Sequence, residues 1–250
     1  MNPSSRNVRL SFGLPLTPVV RNLMWINAIV FVCMLLVQNQ TFFLDISYPA
    51  AIVHMLGVKP HSVLHEYAFW QPFTYLFLHV GWMHLLMNML GLWVFGSDVE
   101  RIMGPRRFLQ YYFFTGAGAG LVSAFMGIPT VGASGAIFGL LLAFGMLFPN
   151  RTLYIYFIFP IKAKYAVMLF GLIELVFLMM RSDQSMTNYA AHLAGLAFGL
   201  LWFLFRLRKF DFKGFFRDIQ RNRKKKKFRV ISNPPEDQSV KDPYNNHTIH

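Results

Sequence analysis

Four side chains in this sequence stand where polar groups are expensive. Ser134, His192, His84 and Asn88 each lie in an apolar run. An unbonded polar group there costs several kcal/mol, which makes each a functional candidate. Ser134 occupies Val-Gly-Ala-Ser-Gly-Ala-Ile-Phe-Gly at residues 131–139, where glycines at 132 and 135 leave room for another backbone or a substrate. A serine attacks a carbonyl only after losing its proton, and a neutral imidazole is the natural base near neutral pH. His192, in Ala-Ala-His-Leu-Ala-Gly at residues 190–195, could be that base. His84 and Asn88 are four residues apart, on one helical face about 6 Å from each other. An imidazole and a carboxamide beside the serine N–H could hold the negative charge that acyl transfer develops on a carbonyl oxygen. Each feature also has a structural reading. Gly135 and Gly139 form a small-x-x-x-small pattern that packs membrane helices. Ser134 could bond a carbonyl, and the histidines and Asn88 could be polar helix contacts.

The apolar runs predict six spans, roughly 20–38, 76–96, 107–126, 131–148, 165–180 and 189–206, each near the ~20 residues a bilayer requires. The cations give the orientation. Of 24 Lys and Arg, 22 fall in the N-terminal segment, the second and fourth connections and the C-terminal tail. Lys59 and Arg181 are the exceptions. Both termini are therefore expected in the cytoplasm, as an even number of spans also requires. Spans two, four and six then all start on the outer side. Ser134 and His192 are each about one turn into their helix, at matched depth. Gly195 and Gly199 share a face with His192, so span six can approach span four closely.

The composition agrees, with 55% hydrophobic and 17% aromatic residues, beyond what an ordinary soluble domain carries. The expected organisation is a cytoplasmic segment at 1–19, a six-helix membrane domain at 20–206 and a basic, partly disordered tail at 207–250. No cleavable signal peptide is recognised at the start. Cys33 is the single cysteine, which excludes an intrachain disulfide and a four-cysteine metal site. Residues 39–71 form a long first loop rich in aromatics, expected to lie in the membrane interface. His61 and His65, four apart, have no further ligand cluster and are read as interfacial or solvated. Residues 154–160 are either a hairpin or an interfacial segment. The polybasic run at 221–229 suits anionic lipid headgroups better than nucleic acid, since it adjoins a span. Glu174, central in span five, must be protonated, paired or hydrogen-bonded.

Three short motifs in order, Gly-x-Ser-Gly at 132–135, Ala-His-x-x-Gly at 191–195 and His-x-x-x-Asn at 84–88, with Gly96, Glu100 and Gly104 after span two, resemble the rhomboid family of intramembrane serine proteases. The resemblance covers residues 20–206. It implies an all-α, polytopic six-helix bundle with Ser134 as nucleophile and His192 as base. No acidic third member belongs to the motifs, so it implies a dyad. His84, Asn88 and the Ser134 N–H fall at the oxyanion site. Phe138 falls where an aromatic ring packs against the base, and His79 at a further histidine position of some members. Gly132, Gly135 and Gly195 supply the close packing. Where Trp-Arg is common in the first loop, this chain has Trp70-Gln71.

The activity so implied is hydrolysis of peptide bonds in or next to transmembrane segments of membrane-protein substrates, without metal or other cofactor. Membrane lipids are the other expected partner. A multi-pass protein of a bacterial inner membrane is the expected setting. Two alternatives belong to other classes. A non-enzymatic binder of membrane-protein clients would be expected to lack Ser134 or His192. A transporter using His79, His84, His192 and Glu174 as a proton path would show flux independent of Ser134. A metal-dependent intramembrane protease needs His-Glu-x-x-His, and here His65-Glu66 is followed by Tyr-Ala-Phe.

Overall fold

Ten helices and one hairpin make up the described part of the chain, which in this computed structural model comprises residues 16–40, 48–155, 158–180 and 189–207. The N-terminal residues 1–15, the polar connection 181–188, the polybasic run and the rest of the tail lie outside it. The order is α1 (Pro18–Gln40), α2 (Tyr48–Leu56), α3 (Pro60–His65), α4 (Gln71–Thr74), α5 (Trp82–Gly91), α6 (Ser97–Met103), α7 (Pro105–Phe125), α8 (Ser134–Leu147), β1 (Thr152–Ile155), β2 (Phe159–Lys162), α9 (Ala163–Met180) and α10 (Tyr189–Leu207). By length and composition, Pro18–Val37 and Ala163–Met180 each suffice to cross a membrane. Ser134–Leu147 and Tyr189–Phe205 are shorter apolar helices.

The second expected span begins later than its apolar run. Gln71–Phe77 and Trp82–Met103 are separate helical rods meeting at 101°. Residues 76–81 therefore end one rod and turn into the next, and His79 sits in that turn. The second rod continues past Gly91 through a π-helical stretch, Leu92–Gly96, into α6. The fourth span also starts later than expected. Residues 131–133 form the turn, and Ser134 is the first residue of α8. The stretch at 154–160 contributes to an antiparallel hairpin, with Thr152 opposite Lys162 and Ile155 opposite Phe159.

α7 and α8 form the centre. α7 carries Gly-Ala-Gly-Ala-Gly at 116–120, all buried. A Cβ at Gly139 would stand 2.7 Å from Thr115, and one at Gly135 would stand 2.5 Å from the Ala119 side chain. The small residues thus bring the two backbones together. Two tyrosines place their hydroxyls on backbone carbonyls there. Tyr111 donates to Gly139 O and Tyr75 to Gly116 O, both at 2.6 Å.

Charged residues fasten the ends. The first turn of α1 has orphan N–H groups and a positive dipole end. Glu100 of α6, buried, answers both. It accepts from Val19 N at 3.1 Å, from Val20 N at 2.9 Å and from the Thr17 hydroxyl. Asp98, two residues earlier, pairs with Arg101 at 3.2 Å and with Arg151 at 2.5 Å. At the opposite end, Val58 and Thr130 exchange backbone hydrogen bonds of 2.9 and 3.0 Å. The first loop is thereby joined to the turn before α8.

Trp70 and Gln71 hold that loop from below. Gln71 is buried; its Oε1 accepts from Lys59 N at 2.9 Å, and its Nε2 donates to His54 O and Met55 O at 3.2 and 3.3 Å. Trp70 Nε1 adds a bond to Met55 O at 2.9 Å, and the Thr74 hydroxyl one to Leu56 O at 2.6 Å. The carboxamide takes up backbone groups on both sides, so the loop is anchored without an arginine.

Glu100→Ala should strand two backbone donors and remove charge-assisted bonds, each worth about 1.5–3 kcal/mol. A loss of roughly 2 kcal/mol or more is expected in reversible unfolding in detergent, with Arg101→Ala on the exposed side costing under about 1 kcal/mol.

Candidate active site

The turn before α8 is shaped by Gly132. Its φ of +108° lies in the region that only glycine enters freely. Its N–H donates to Tyr75 O at 2.9 Å, tying the turn to the rod below. A Cβ on Gly132 would stand 2.5 Å from His84 Nε2 and 3.7 Å from Asn88 Nδ2. The missing side chain is therefore the space in which His84 and Asn88 of α5 approach the turn that carries Ser134. Asn88, buried, also donates to His84 O at 2.9 Å. His79 lies against His84, ring centroids 5.0 Å apart.

α10 approaches from the other side. A Cβ on Gly195 would sit 2.0 Å from Gly135 O, and one on Gly199 would sit 3.5 Å from Gly139 Cα. At Gly195 the neighbouring atoms are all Gly135 backbone, whereas at Gly199 the Tyr111 hydroxyl and the Leu142 side chain also crowd in. The contact at Gly195 sets the relation of the two polar residues above it. Ser134 Oγ and His192 Nε2 are 2.8 Å apart. The Phe138 ring lies flat against the imidazole, with centroids 4.3 Å apart and planes 8° from parallel. Stacking on one face and a hydrogen bond at each end leave the ring one orientation.

The imidazole has a second hydrogen-bond partner at its other ring nitrogen. His192 Nδ1 lies 2.9 Å from Glu174 Oε2. The acid belongs to none of the three motifs, which is why the motifs did not reveal it. Depth along the helices was the available signal. Glu174 is six residues before the end of α9, about 9 Å. His192 is in the first turn of α10, after the connection between them.

The sequence residues Ser134, His192, Phe138, Gly132, Gly135, Gly195, His84 and Asn88 thus fall around one point. A hydroxyl bonded to an imidazole, with amide and imidazole groups across from it, is an arrangement able to activate a nucleophile and to receive an oxyanion. His61 and His65 are elsewhere, with rings 5.1 Å apart and His61 Nε2 3.6 Å from Glu66 Oε1, on exposed side chains. Among the described residues, no group of three or more His, Cys, Asp or Glu could hold a metal ion.

A family model described as the Rhomboid domain matches residues 66–209, more than half of the chain and all of the site. The chain belongs to the rhomboid family. It is 42% identical over 86 residues to rhomboid protease GluP of Bacillus subtilis, a match covering 34% of the chain and 17% of that relative. It is 34% identical over 138 residues to putative rhomboid protease YdcA of the same organism, covering 53% and 64%. Mitochondrial rhomboid protein 1 of Saccharomyces cerevisiae is 33% identical over 135 residues, covering 50% and 38%. The chain therefore spans less than two thirds of the length of each of these relatives. Rhomboids are multi-pass membrane proteins, and the apolar helices of this chain accord with that.

The glycine contact gives a direct test of how the site is built. Gly195→Ala must push α10 away from the Gly135 carbonyl, because backbone cannot yield as a side chain can. A displacement of about 1 Å at reacting groups costs on the order of 10²-fold in rate. Fluorophosphonate labelling of Gly195→Ala is expected to slow by about that factor, with Gly171→Ala, on α9, as the control near wild type.

Proposed function

We propose that this protein is an intramembrane serine endopeptidase that hydrolyses peptide bonds in or next to transmembrane segments of other membrane proteins. The observation that carries the proposal is the 2.8 Å contact of Ser134 Oγ with His192 Nε2, inside a domain of the rhomboid family. The relatives named as rhomboid proteases support the same activity.

In the proposed reaction, Ser134 Oγ attacks the scissile carbonyl carbon as its proton passes to His192 Nε2. The carbonyl oxygen takes the negative charge and is met by His84, Asn88 and the Ser134 N–H. His192 then returns the proton to the leaving amine, and the C–N bond breaks to give an acyl-enzyme. Water, deprotonated by the same imidazole, hydrolyses the ester and restores Ser134. Gly132 and Gly135 keep this space clear of side chains, and Phe138 holds the base in plane. No metal or cofactor has a part in this scheme.

The setting proposed is a six-span bundle with both termini in the cytoplasm and the site near the outer surface. The charge pattern supports this. So do the contacts at each end: Asp98 with Arg151 at the basic end, Val58 with Thr130 at the other. The proposed location is a bacterial cell membrane, on the strength of the two Bacillus subtilis relatives. Substrates are expected to carry small or helix-breaking residues near the outer end of a span, because peptide bonds within a helix are shielded. The basic tail is assigned to anionic lipid headgroups.

Purified protein in lipid nanodiscs should take up a fluorophosphonate probe and cut a model transmembrane substrate. Ser134→Ala and His192→Ala should each abolish both, while Ser134→Ala retains the wild-type melting temperature. Cleavage by Ser134→Ala at the wild-type rate would overturn the proposal.

A further inference from the structure

α9 is an apolar helix that turns little of itself inward. Around its centre Leu172, Ile173, Leu175, Val176 and Phe177 are all exposed, by 37–59%. Glu174, in their midst, is 8% exposed. Beyond Ala163 and Ala166 near its start, Glu174 is the one buried residue recorded for this helix. A carboxylate in an apolar span is among the most expensive choices available. It is turned to α10, where His192 Nδ1 lies 2.9 Å away. The imidazole is itself 9% exposed. Its other nitrogen is the one that meets Ser134.

We infer that Glu174, on α9, is a positioning residue for His192, the base of the Ser134–His192 pair carried by α8 and α10. The inference rests on the protease reading above and deepens it. Its physical content is the choice of tautomer. A neutral imidazole carries one N–H, and the bond made by one nitrogen decides what the other can do. An ionised carboxylate only accepts, so the proton is held on Nδ1 and the lone pair is left on Nε2. The Ser134 hydroxyl then donates to Nε2, which is the arrangement a general base needs. With no acceptor at Nδ1, the proton is free to sit on Nε2. There it would donate to Ser134 Oγ and could not remove the hydroxyl proton.

The same contact serves the next step. When Nε2 takes the serine proton, the ring becomes an imidazolium in apolar surroundings. The Glu174 charge lies 2.9 Å from its far nitrogen and offsets it. Glu174 gains no proton in this step: one proton moves, from Oγ to Nε2. Phe138 holds the ring plane, and Glu174 fixes its direction within that plane. The residue acts through His192 and need not touch substrate.

The test compares full-length wild type, Glu174→Gln, Glu174→Asp and Ser134→Ala in nanodiscs. Glu174→Gln keeps the shape and loses the charge. Its kcat on a transmembrane model substrate is expected to fall by about 10²-fold or more, with KM unchanged, since the carboxylate acts on the base and not on substrate binding. Fluorophosphonate labelling should slow in parallel. Glu174→Asp, which keeps the charge on a shorter arm, should recover part of the loss. A second readout needs no substrate. In ¹⁵N-histidine-labelled wild type, the His192 signals, identified by their absence in His192→Ala, should show a protonated Nδ1 and a bare Nε2. Glu174→Gln should move proton population to Nε2. Wild-type kcat in a folded Glu174→Gln protein, or a wild type protonated at Nε2, would overturn the inference. If Glu174→Gln does not fold, the wild-type tautomer decides alone. A folded wild type that neither labels nor cleaves would overturn the protease reading instead, and the tautomer would still report on Glu174.

Discussion

Among the described glycines, the one with the least room for a side chain faces another glycine. Gly195 of α10 sits on the Gly135 carbonyl of α8, where an added Cβ would be 2.0 Å away. Helices in an apolar medium gain no hydrophobic free energy by meeting, so close backbone packing must hold them. Here it does more than hold them. Ser134 precedes Gly135 and His192 stands one turn before Gly195, so the backbone contact fixes the spacing of hydroxyl and imidazole. Gly199 against Gly139, one turn further along, fixes the crossing of the same two helices. Tyr111 locks the second contact by donating to Gly139 O.

Several buried polar groups away from the site are partnered within the protein, as apolar surroundings favour. Glu100 meets the open N-terminus of α1, Asp98 meets Arg101 and Arg151, and Gln71 meets the backbone of the first loop. These pairings lie at the ends of the helices and brace the frame. The Glu174–His192 pair differs in that the same imidazole also meets the Ser134 hydroxyl, and in being supplied by a helix with little other inward surface. The carboxylate is directed at the ring nitrogen whose bond decides the state of the other.

The turn at 131–133 shows how a local backbone state becomes a site. The positive φ of Gly132 and its N–H bond to Tyr75 O turn the chain sharply into α8. The absent Cβ admits His84 and Asn88. Conformation and vacancy come from the same residue, so a substitution there would close the space and strain the backbone together.

Much of this was legible in the residues. The apolar runs, the cations gathered on alternate connections and the glycine spacing in spans four and six placed Ser134 and His192 at one depth on two helices suited to touch. The His84–Asn88 pair follows from helical periodicity alone. These are one-dimensional facts, set by residue type and by distance along a helix. Three things needed the fold. The 101° bend between Gln71–Phe77 and Trp82–Met103 is not written in hydropathy, because both rods and the turn are apolar. The work of Gln71 depends on where the first loop folds back. The pairing of Glu174 with His192 depends on the rotation of α9 about its own axis. That helix is apolar on every side, so its sequence has no stripe to say which way the carboxylate faces. Packing against α8 and the partner offered by α10 decide it.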